Sequence, residues 1–326
     1  MKKTNISALL LAALLLIQLL CAPVSAVTAE PAADAQADAQ TASDNSAGDA
    51  AAEADSVPED QLLSSREQFS VAAKAALLID LNTNRVVYEQ DADERIYPAS
   101  LTKIMTCLIA LENGNLSDVV TVSESALADL DEDSSVAGLV VGEQMTLENL
   151  LYCMMVVSGN DACNVIAEHV AGSVTDFVRM MNQRAYELGC TNTHFNNPHG
   201  LHDESHYTTA RDLAIITQAA LKSENFRQIV DTYEYKLPDD NMRQNIPKLK
   251  TTNMLIYQSM SNSLYYPRAH GIKTGYTSQA GRCVISEATG DGLDLLGIVC
   301  GAATTVLDSG DLLMENFTEC ARLFDY

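Results

Sequence analysis

Strand-forming sequence stands at both ends of the part of this chain that can fold, and helix-forming sequence lies between them. Residues 72–80 form an apolar run, and turn residues separate it from a second run at 85–88, an order typical of a β-hairpin. Toward the other end, residues 282–288 and 293–300 have β-type composition and flank a turn at 290–292. This order predicts one sheet built from both ends of the chain, with a helical insert, in the α+β class.

The middle of the chain repeats apolar residues at helical spacing. One pattern begins near Ser100 and stops at Gly114, as helices often stop at glycine. Thr146 and Thr209 fit helix N-caps, the second with Asp212 as a capping-box variant. Further helices are predicted over residues 147–157, 162–170, 174–188, 210–221 and 308–324, and further strands over 233–237 and 271–274.

The first 26 residues have the order of a secretory signal peptide. Lys2 and Lys3 precede an apolar run over residues 8–20, and Val24-Ser25-Ala26 matches a small-residue cleavage site. An uncleaved membrane anchor is the weaker alternative, because the apolar run is shorter than a membrane span. We therefore expect an exported protein.

Residues 27–65 are predicted to be a disordered, acidic, Ala-rich linker. Residues 27–60 contain nine Asp or Glu, no Lys or Arg and no aromatic residue, so they cannot bury enough apolar surface to fold. The remaining residues, 66–326, are long enough for one catalytic domain with its own core. The net charge of −24 argues against a nucleic-acid partner, which would require clustered Lys and Arg.

The pattern of the eight cysteines does not indicate a disulfide framework. Cys21 lies in the predicted signal peptide, which leaves an odd set of seven in mostly apolar patterns. We expect them to be small buried hydrophobic residues with at most one or two disulfides.

The first motif with chemical meaning is Ser100-Leu101-Thr102-Lys103. Positions i and i+3 of a helix share a face, so the amine of Lys103 can reach the hydroxyl of Ser100. Serine becomes a nucleophile when a base takes its proton, and lysine is a base only when neutral. Burial and a second cation lower a lysine pKa, and Lys273 is the predicted second cation. On its own, this motif more often marks an N-cap serine with a solvated lysine.

The second motif, Ser158-Gly159-Asn160, lies between two helical patterns on a connection that can project into a cleft. Ser158 can relay a proton to a departing amine, and Asn160 can hold Lys103 and the substrate backbone through its amide. A simple helix–helix turn is the alternative, because Ser-Gly-Asn also suits a turn.

The third motif, Lys273-Thr274-Gly275, falls in a predicted strand. Lys273 can supply positive charge, Thr274 can hydrogen-bond a substrate carboxylate, and Gly275 leaves the strand open to substrate. An extended peptide can pair with the strand edge near residues 276–278. The backbone N–H groups of Ser100 and Tyr276 are candidates for an oxyanion hole.

Three motifs of this kind in this order are the signature of penicillin-binding proteins and class A β-lactamases. The chain resembles the serine-type D-alanyl-D-alanine carboxypeptidases, the low-molecular-mass penicillin-binding proteins of peptidase family S11. The likeness extends over residues 68–326 and includes residues 75–80, Tyr97-Pro98-Ala99-Ser100, Asn160-Asp161-Ala162, His199-Gly200-Leu201, residues 206–212 and residues 271–275.

This resemblance implies a β-lactamase/D,D-peptidase-like fold, in which an antiparallel sheet is flanked by helices and the site lies between the sheet and the helical insert. It implies acylation of a serine by the penultimate D-Ala of peptidoglycan stem peptides, release of the terminal D-Ala, hydrolysis by water, and inhibition by β-lactam antibiotics. It also implies action in the cell wall or at the outer face of the cytoplasmic membrane. Carried over by motif, the catalytic residues are Ser100, Lys103, Ser158 and Asn160, and the substrate-binding residues are Lys273, Thr274, Gly275 and Tyr276.

Other activities remain open at this point. A class A β-lactamase would need a glutamate-activated water for deacylation, and the sequence offers no convincing glutamate for it. A catalytically inactive wall-binding scaffold would not need the intact motifs. A transpeptidase or endopeptidase differs only in the acyl acceptor or the bond cleaved. Many relatives continue into a β-rich domain and an amphipathic anchor, whereas this sequence stops at residue 326, so membrane attachment also stays open.

Several histidines and arginines could serve other purposes. His199, His202 and His206 are spaced by three and four residues, but no H-E-x-x-H motif accompanies them. Structural histidines are therefore favoured, and neither a metal nor a cofactor is predicted. Arg268 and Arg282 flank the third motif, and either can bind a carboxylate through two N–H groups. A surface ion pair is the alternative for both, and Arg282 is the stronger candidate.

Overall fold

The structure is a computed structural model that describes residues 69–128, 130, 134–306 and 312–326. The predicted signal peptide, the predicted linker and residues 308–311 of the last predicted helix lie outside the described residues.

The described strands and helices follow the predicted order. The strands are β1 Ala75–Asp80, β2 Arg85–Gln90, β3 Val119–Thr121, β4 Gln144–Thr146, β5 Glu234–Tyr235, β6 Leu249–Lys250, β7 Ala269–Thr277, β8 Gly281–Gly290, β9 Leu293–Ala302, β10 Thr304–Val306 and β11 Leu312–Met314. The helices are a short 3-10 helix Ala99–Thr102, α1 Lys103–Asn113, α2 Glu124–Ala128, α3 Leu147–Val156, α4 Asn160–Ala171, α5 Val174–Glu187, α6 Ala210–Ala220, α7 Glu224–Val230 and α8 Glu315–Phe324.

The main sheet has the strand order β2-β1-β9-β8-β7, and all of its neighbouring strands are antiparallel. The first strand therefore lies beside β9, one of the last. This confirms the prediction of a sheet built from both ends of the chain. Strand β7, which carries the third motif, lies at one edge of this sheet.

Both faces of the sheet are covered. Along β1, Ala75, Leu77 and Ile79 belong to one apolar core, and Ala76 and Leu78 belong to a second. This alternation follows from the two-residue period of a strand. The first core packs the sheet against the helical insert, and the second packs it against α8. The fold is thus α+β with helices on both sides of an antiparallel sheet, as predicted.

The predicted N-caps are confirmed, but one capping interaction is not. The side chains of Thr146 and Thr209 accept hydrogen bonds from the first turns of α3 and α6. Asp212 does not complete a capping box. Its carboxylate instead accepts hydrogen bonds from the backbone N–H of Asn192 and the hydroxyl of Thr193, so a tertiary contact takes the place of the local one.

Two other details differ from the predictions, and the cysteines agree with theirs. The predicted strand at 233–237 is only the two-residue β5. The last helix begins at Glu315 rather than at residue 308, because residues 312–314 pair with β10 as a strand. Each of the seven described cysteines is free and buried, which confirms their prediction as small buried hydrophobic residues.

Candidate active site

Ser100 lies in the 3-10 helix, one turn before Lys103 opens α1. The Nζ atom of Lys103 is 2.9 Å from the Oγ atom of Ser100. The neighbouring Gly200 has a φ of +92°, and a Cβ atom there would lie 1.8 Å from the carbonyl oxygen of Ala99. Glycine is therefore required at 200 for its segment to pack against the 3-10 helix.

The amine of Lys103 is enclosed. The side chain is fully buried, and Nζ also lies 2.7 Å from Oδ1 of Asn160 and 2.8 Å from the carbonyl oxygen of His199. Burial lowers the pKa of Lys103, while the nearby Cys163 and Asp161 groups oppose that shift. The site thus favours the neutral amine that a general base needs.

Lys273 is the second buried lysine. It is 1 % exposed, and its Nζ donates to the carbonyl oxygen of Thr274 at 3.1 Å. Burial lowers its pKa well below the ordinary value, and the positive charge of Lys103 lowers it further. Because each ammonium disfavours the other, the pair favours a state in which at least one amine is neutral.

The second motif forms the connection between α3 and α4. Ser158 has a φ of +63°, which turns the chain between the two helices. Asn160 opens α4, and its side chain reaches Lys103 as described. Ser158 and Asn160 are both nearly buried, and they line the same cleft as Ser100. The predicted turn therefore also projects side chains into the site.

The third motif brings the edge strand against the backbone of Ser100. A Cβ atom on Gly275 would lie 3.0 Å from the backbone nitrogen of Ser100 and 3.1 Å from the carbonyl oxygen of Pro98. Glycine thus allows β7 to approach the 3-10 helix closely, a reason that the sequence interpretation did not include. The hydroxyls of Thr274 and Thr252 lie 2.6 Å apart, and Tyr276 is 59 % exposed.

These groups share one cleft of about 320 Å³. Its walls come from the 3-10 helix, the α3–α4 connection, β7, β8 and α8, with the two lysines behind them. The lining residues are Ser100, Ser134, Ser135, Ser158, Asn160, Gly200, Leu201, Thr252, Thr274, Gly275, Tyr276, Thr277, Arg282, Met314, Asn316 and Phe317.

Comparison with known families agrees with this geometry. Residues 62–304 match the family model described as D-alanyl-D-alanine carboxypeptidase, peptidase S11. The chain belongs to this family.

Individual members of the D-alanyl-D-alanine carboxypeptidase family are similar over the same region. The carboxypeptidase DacF of Bacillus subtilis is 40% identical over 240 residues, which cover 71% of this chain and 58% of DacF. DacA of Haemophilus influenzae is 36% identical over 241 residues, which cover 72% of this chain and 58% of DacA. The chain thus spans less than two thirds of the length of these relatives.

Solved structures of the family share the fold. The DD-transpeptidase of Streptomyces K15 superposes with a TM-score of 0.69 at 29% identity, covering 79% of this chain and 97% of that one. Penicillin binding protein 5 of Haemophilus influenzae superposes with a TM-score of 0.66 at 32% identity, covering 78% and 71%.

In this family member, Asp161 supports the site from behind. The carboxylate is 2 % exposed and accepts hydrogen bonds from the backbone N–H groups of Ala137 at 2.9 Å and Leu139 at 3.0 Å. The backbone N–H of Asn160 also donates to the carbonyl oxygen of Ser135 at 2.8 Å. These bonds fix residues 135–139, a segment that begins next to Ser134 and whose first residue, Ser135, lines the cleft together with Ser134. The sequence interpretation gave Asp161 no role, and its only signal was its place after the second motif.

Two of the three histidines stabilise the site. The carbonyl oxygen of His199 contacts Lys103, as described above. His206 accepts the backbone N–H of Asn196 at Nδ1 (3.1 Å), so its Nε2–H faces the hydroxyl of Thr102 at 2.9 Å. Burial lowers the pKa of His206 to about 4. Among the described residues, no group of His, Cys, Asp and Glu could hold a metal ion.

The two candidate arginines have different surroundings. Arg268 forms an ion pair with Asp291 at 2.7 Å and is not among the residues that line the cleft. Arg282 does line the cleft, with its guanidinium 4.9 Å from the centre of the Tyr276 ring. The surface ion pair expected as the alternative is thus found for Arg268.

Proposed function

We propose that this protein is an exported serine D,D-carboxypeptidase that removes the terminal D-Ala from peptidoglycan stem peptides. The observation that carries this proposal is the buried amine of Lys103 at 2.9 Å from the Ser100 hydroxyl. A neutral amine has two N–H groups and one lone pair. The oxygens of Asn160 and His199 accept the two N–H groups, which directs the lone pair to the proton of Ser100.

Acylation uses these groups in sequence. The Oγ atom of Ser100 attacks the carbonyl carbon of the penultimate D-Ala while Lys103 takes the hydroxyl proton. The resulting oxyanion is stabilised by the backbone N–H groups of Ser100 and Tyr276, which come from adjacent segments. One such donor typically contributes about 10²- to 10³-fold to the rate.

Release of the product completes the first half of the reaction. The peptide C–N bond breaks, and the amine of the terminal D-Ala receives a proton through Ser158, which lines the same cleft. Water then attacks the acyl-enzyme, Lys103 takes a proton from it, and the Ser100 oxygen leaves and is reprotonated. The shortened peptide is the second product.

The edge of β7 supplies the binding groups in this proposal. The peptide pairs with the strand near the exposed Tyr276, while the hydroxyl of Thr274 contacts the substrate carboxylate and Lys273 adds positive charge behind it. A β-lactam antibiotic acylates Ser100 through the same groups, because its strained amide occupies the position of the scissile peptide bond.

The site of action follows from the substrate. Peptidoglycan lies outside the cytoplasmic membrane, and the predicted signal peptide would deliver the protein there. No helix within the described residues is both long and apolar enough to cross a bilayer.

Intact mass spectrometry tests the proposal. Penicillin treatment is expected to add one drug mass to the wild type and none to Ser100→Ala. In parallel, a peptide ending in D-Ala-D-Ala should lose one D-Ala only with the wild type. An adduct on Ser100→Ala, or no peptide cleavage by the wild type, would contradict the proposal.

D,D-transpeptidation is the second candidate, because one similar structure is that of a DD-transpeptidase. An amine would then replace water as the acyl acceptor. Adding D-alanine labelled with a heavy isotope as the acyl acceptor tests for transpeptidation. Incorporation of label into the peptide faster than hydrolysis would favour transpeptidation.

A further inference from the structure

Two of the buried cysteines lie side by side on neighbouring strands. Cys283 is in β8 and Cys300 is in β9. Both are fully buried, and both belong to the core between the sheet and the helical insert. Their thiols share a hydrogen bond. Within the described residues, Cys190 and Cys320 have no such thiol neighbour, so the pair differs from cysteines that serve only as small buried side chains.

An irregularity in the sheet brings the two thiols together. The pairing of β8 with β9 shifts between Arg282 and Val284, where two residues of β9, Cys300 and Gly301, stand opposite the single residue Cys283. Such a β-bulge inserts one extra residue into one strand of a pair. Gly301 has a φ of +75°, a conformation that glycine adopts without strain. The bulge therefore sets Cys300 beside Cys283 at no cost in backbone strain.

The backbone places the pair within reach of a disulfide. Opposed residues of antiparallel strands have Cα atoms about 4.5–5.5 Å apart, and disulfide-bonded cysteines have Cα atoms about 4.4–6.8 Å apart. Both side chains also project from one face of the sheet, because both lie in the core that faces the helical insert. A bond between the two sulfurs thus requires rotation of the side chains rather than separation of the strands.

The surroundings of Cys283 favour its thiolate, the form that attacks a disulfide. The hydrogen bond from the S–H of Cys300 lowers the pKa of Cys283 most. Burial opposes this shift, while the backbone N–H of Gly301 and the positive charge of Lys74 add to it. The same bond, together with burial, raises the pKa of Cys300. One sulfur of the pair is thus prepared to attack while the other keeps its proton.

We propose that Cys283 and Cys300 are a redox site that closes as a disulfide between β8 and β9. The oxidant is a second disulfide, of the class that oxidised glutathione represents. The Cys283 thiolate attacks one sulfur of this disulfide and displaces the other as a thiolate, which takes the proton of Cys300. The Cys300 sulfur then attacks the Cys283 sulfur and releases the second thiolate, which is protonated by water. The protein loses two hydrogen atoms, and the oxidant becomes two thiols.

The oxidant reaches the pair during folding. Strands β8 and β9 form a hairpin around the turn at residues 290–292, so their pairing is local in the sequence. Local contacts form faster than contacts between distant segments, and at that stage the helical insert does not yet cover the thiols. In the folded protein both side chains are fully buried. Exchange is therefore expected in the refolding chain and is expected to be slow in the native protein.

The disulfide ties the strand behind the active site to the middle of the sheet. Gly275, which approaches the backbone of Ser100, lies opposite Cys283, and β9 lies between β1 and β8. A disulfide restricts the unfolded chain more than the folded one. The oxidised protein should therefore melt about 5–10 °C above the reduced protein.

Refolding followed by peptide mapping tests the inference on the full chain. The reduced, unfolded chain is refolded with oxidised and reduced glutathione or, as the reference, with dithiothreitol, and the free thiols are then blocked. Trypsin cannot separate the pair, because no Lys or Arg lies between Cys283 and Cys300. A protease that cleaves after acidic residues can cut at Glu287, Asp291 and Asp294. The two cysteine segments should then have one joint mass until a reductant separates them.

Melting temperatures supply a second measurement. The wild type refolded with glutathione should melt about 5–10 °C above the wild type refolded with dithiothreitol, and Cys300→Ala should abolish this difference. Cys190→Ala is the matched control. It removes another buried cysteine of the same core, one without a thiol neighbour, and should keep the difference. Equal melting temperatures of the two wild-type samples would contradict the proposed disulfide.

The mapping decides without any variant. Separate segments after refolding with glutathione, whether reduced or each carrying glutathione, would overturn the inference, as would linkage of other cysteines in place of this pair. Because the mapping uses the wild type, it remains decisive if Cys300→Ala does not fold. Penicillin adducts are measured on the same samples. Their absence contradicts the proposed function and leaves this inference standing, because the redox site does not depend on Ser100.

Discussion

The two ends of the cleft differ in how their polar groups are satisfied. At the inner end, the amine of Lys103 has three oxygen neighbours within 2.9 Å. At the outer end, Arg282 has Nη groups without partners among the described residues, and Oδ1 of Asn316 is unpaired. The inner end is organised before substrate arrives, which lowers the cost of reorganisation during the reaction. The outer end lacks such complete pairing among the described residues.

The largest effect should follow from removing the base at the inner end. Lys103→Ala is expected to slow acylation by penicillin about 10³- to 10⁶-fold, because the nucleophile loses its proton acceptor. The rate of adduct formation by intact mass measures this. Lys103→Arg is the control: it keeps a positive charge but cannot deprotonate, so it should be as slow. An active Lys103→Arg would show that charge alone is required.

A smaller effect should follow from separating β7 from the 3-10 helix. In Gly275→Ala the new methyl would meet the backbone of Ser100 and Pro98, so one segment must move. Misplacement of this size is expected to lower kcat/KM for peptide cleavage about 10- to 100-fold. Gly290→Ala is the matched control, because the three atoms nearest to its methyl would all belong to the flexible side chain of Arg268. Equal losses in the two variants would contradict the prediction.

Asp161 holds the segment beside Asn160 in place, and its variant should have a milder effect. Asparagine has one acceptor oxygen instead of two. In Asp161→Asn, the backbone N–H of either residue 137 or residue 139 therefore loses its acceptor, which should lower kcat/KM about 10-fold. Asp161 also raises the pKa of Lys103. Its neutralisation should therefore shift the acid limb of the acylation pH profile to lower pH. Asp212→Asn, another buried carboxylate that accepts a backbone N–H, should leave that limb in place. A shift to higher pH would refute the assignment.

The smallest effect concerns stability rather than rate. Burial lowers the pKa of His206 from 6.5 to about 4, so the unfolded chain binds a proton between these values while the folded chain does not. Stability should therefore fall as the pH drops from about 6.5 to 4, by up to about 3 kcal/mol from this residue. His206→Gln should flatten the dependence of the melting temperature on pH, and His202→Gln should not. Parallel curves for the wild type and His206→Gln would contradict this.

The inner end of the cleft was largely predictable from sequence. The spacing of Ser100 and Lys103 fixes their shared helical face, and the strand around Lys273 follows from its composition. Periodicity also predicts the sheet and most helices, because the apolar faces of β1, β8 and β9 must be buried. In these cases the spacing of residues along a helix or strand determines which side chains lie on the same face.

The outer end was not predictable to the same degree. Arg282 stood out only as a candidate. Asn316 gave no signal, because its hydrogen bond to Cys283 in β8 joins residues 33 positions apart. Asp161 reaches back to residues 22 and 24 positions earlier, across a segment without a regular pattern. The strand β11 was missed for a related reason, because its pairing with β10 outweighs the helical preference of its leucines.

The strand order also affects how the protein can mature. Because β1 pairs with β9 and the third motif lies on β7, a nascent chain that has emerged only through the helical segment has neither a complete sheet nor an assembled pair of lysines. Pairings between such distant segments form slowly. Hydrolytic capacity is thus expected to arise only after synthesis of the C-terminal strands, when both ends of the sheet are available to pair.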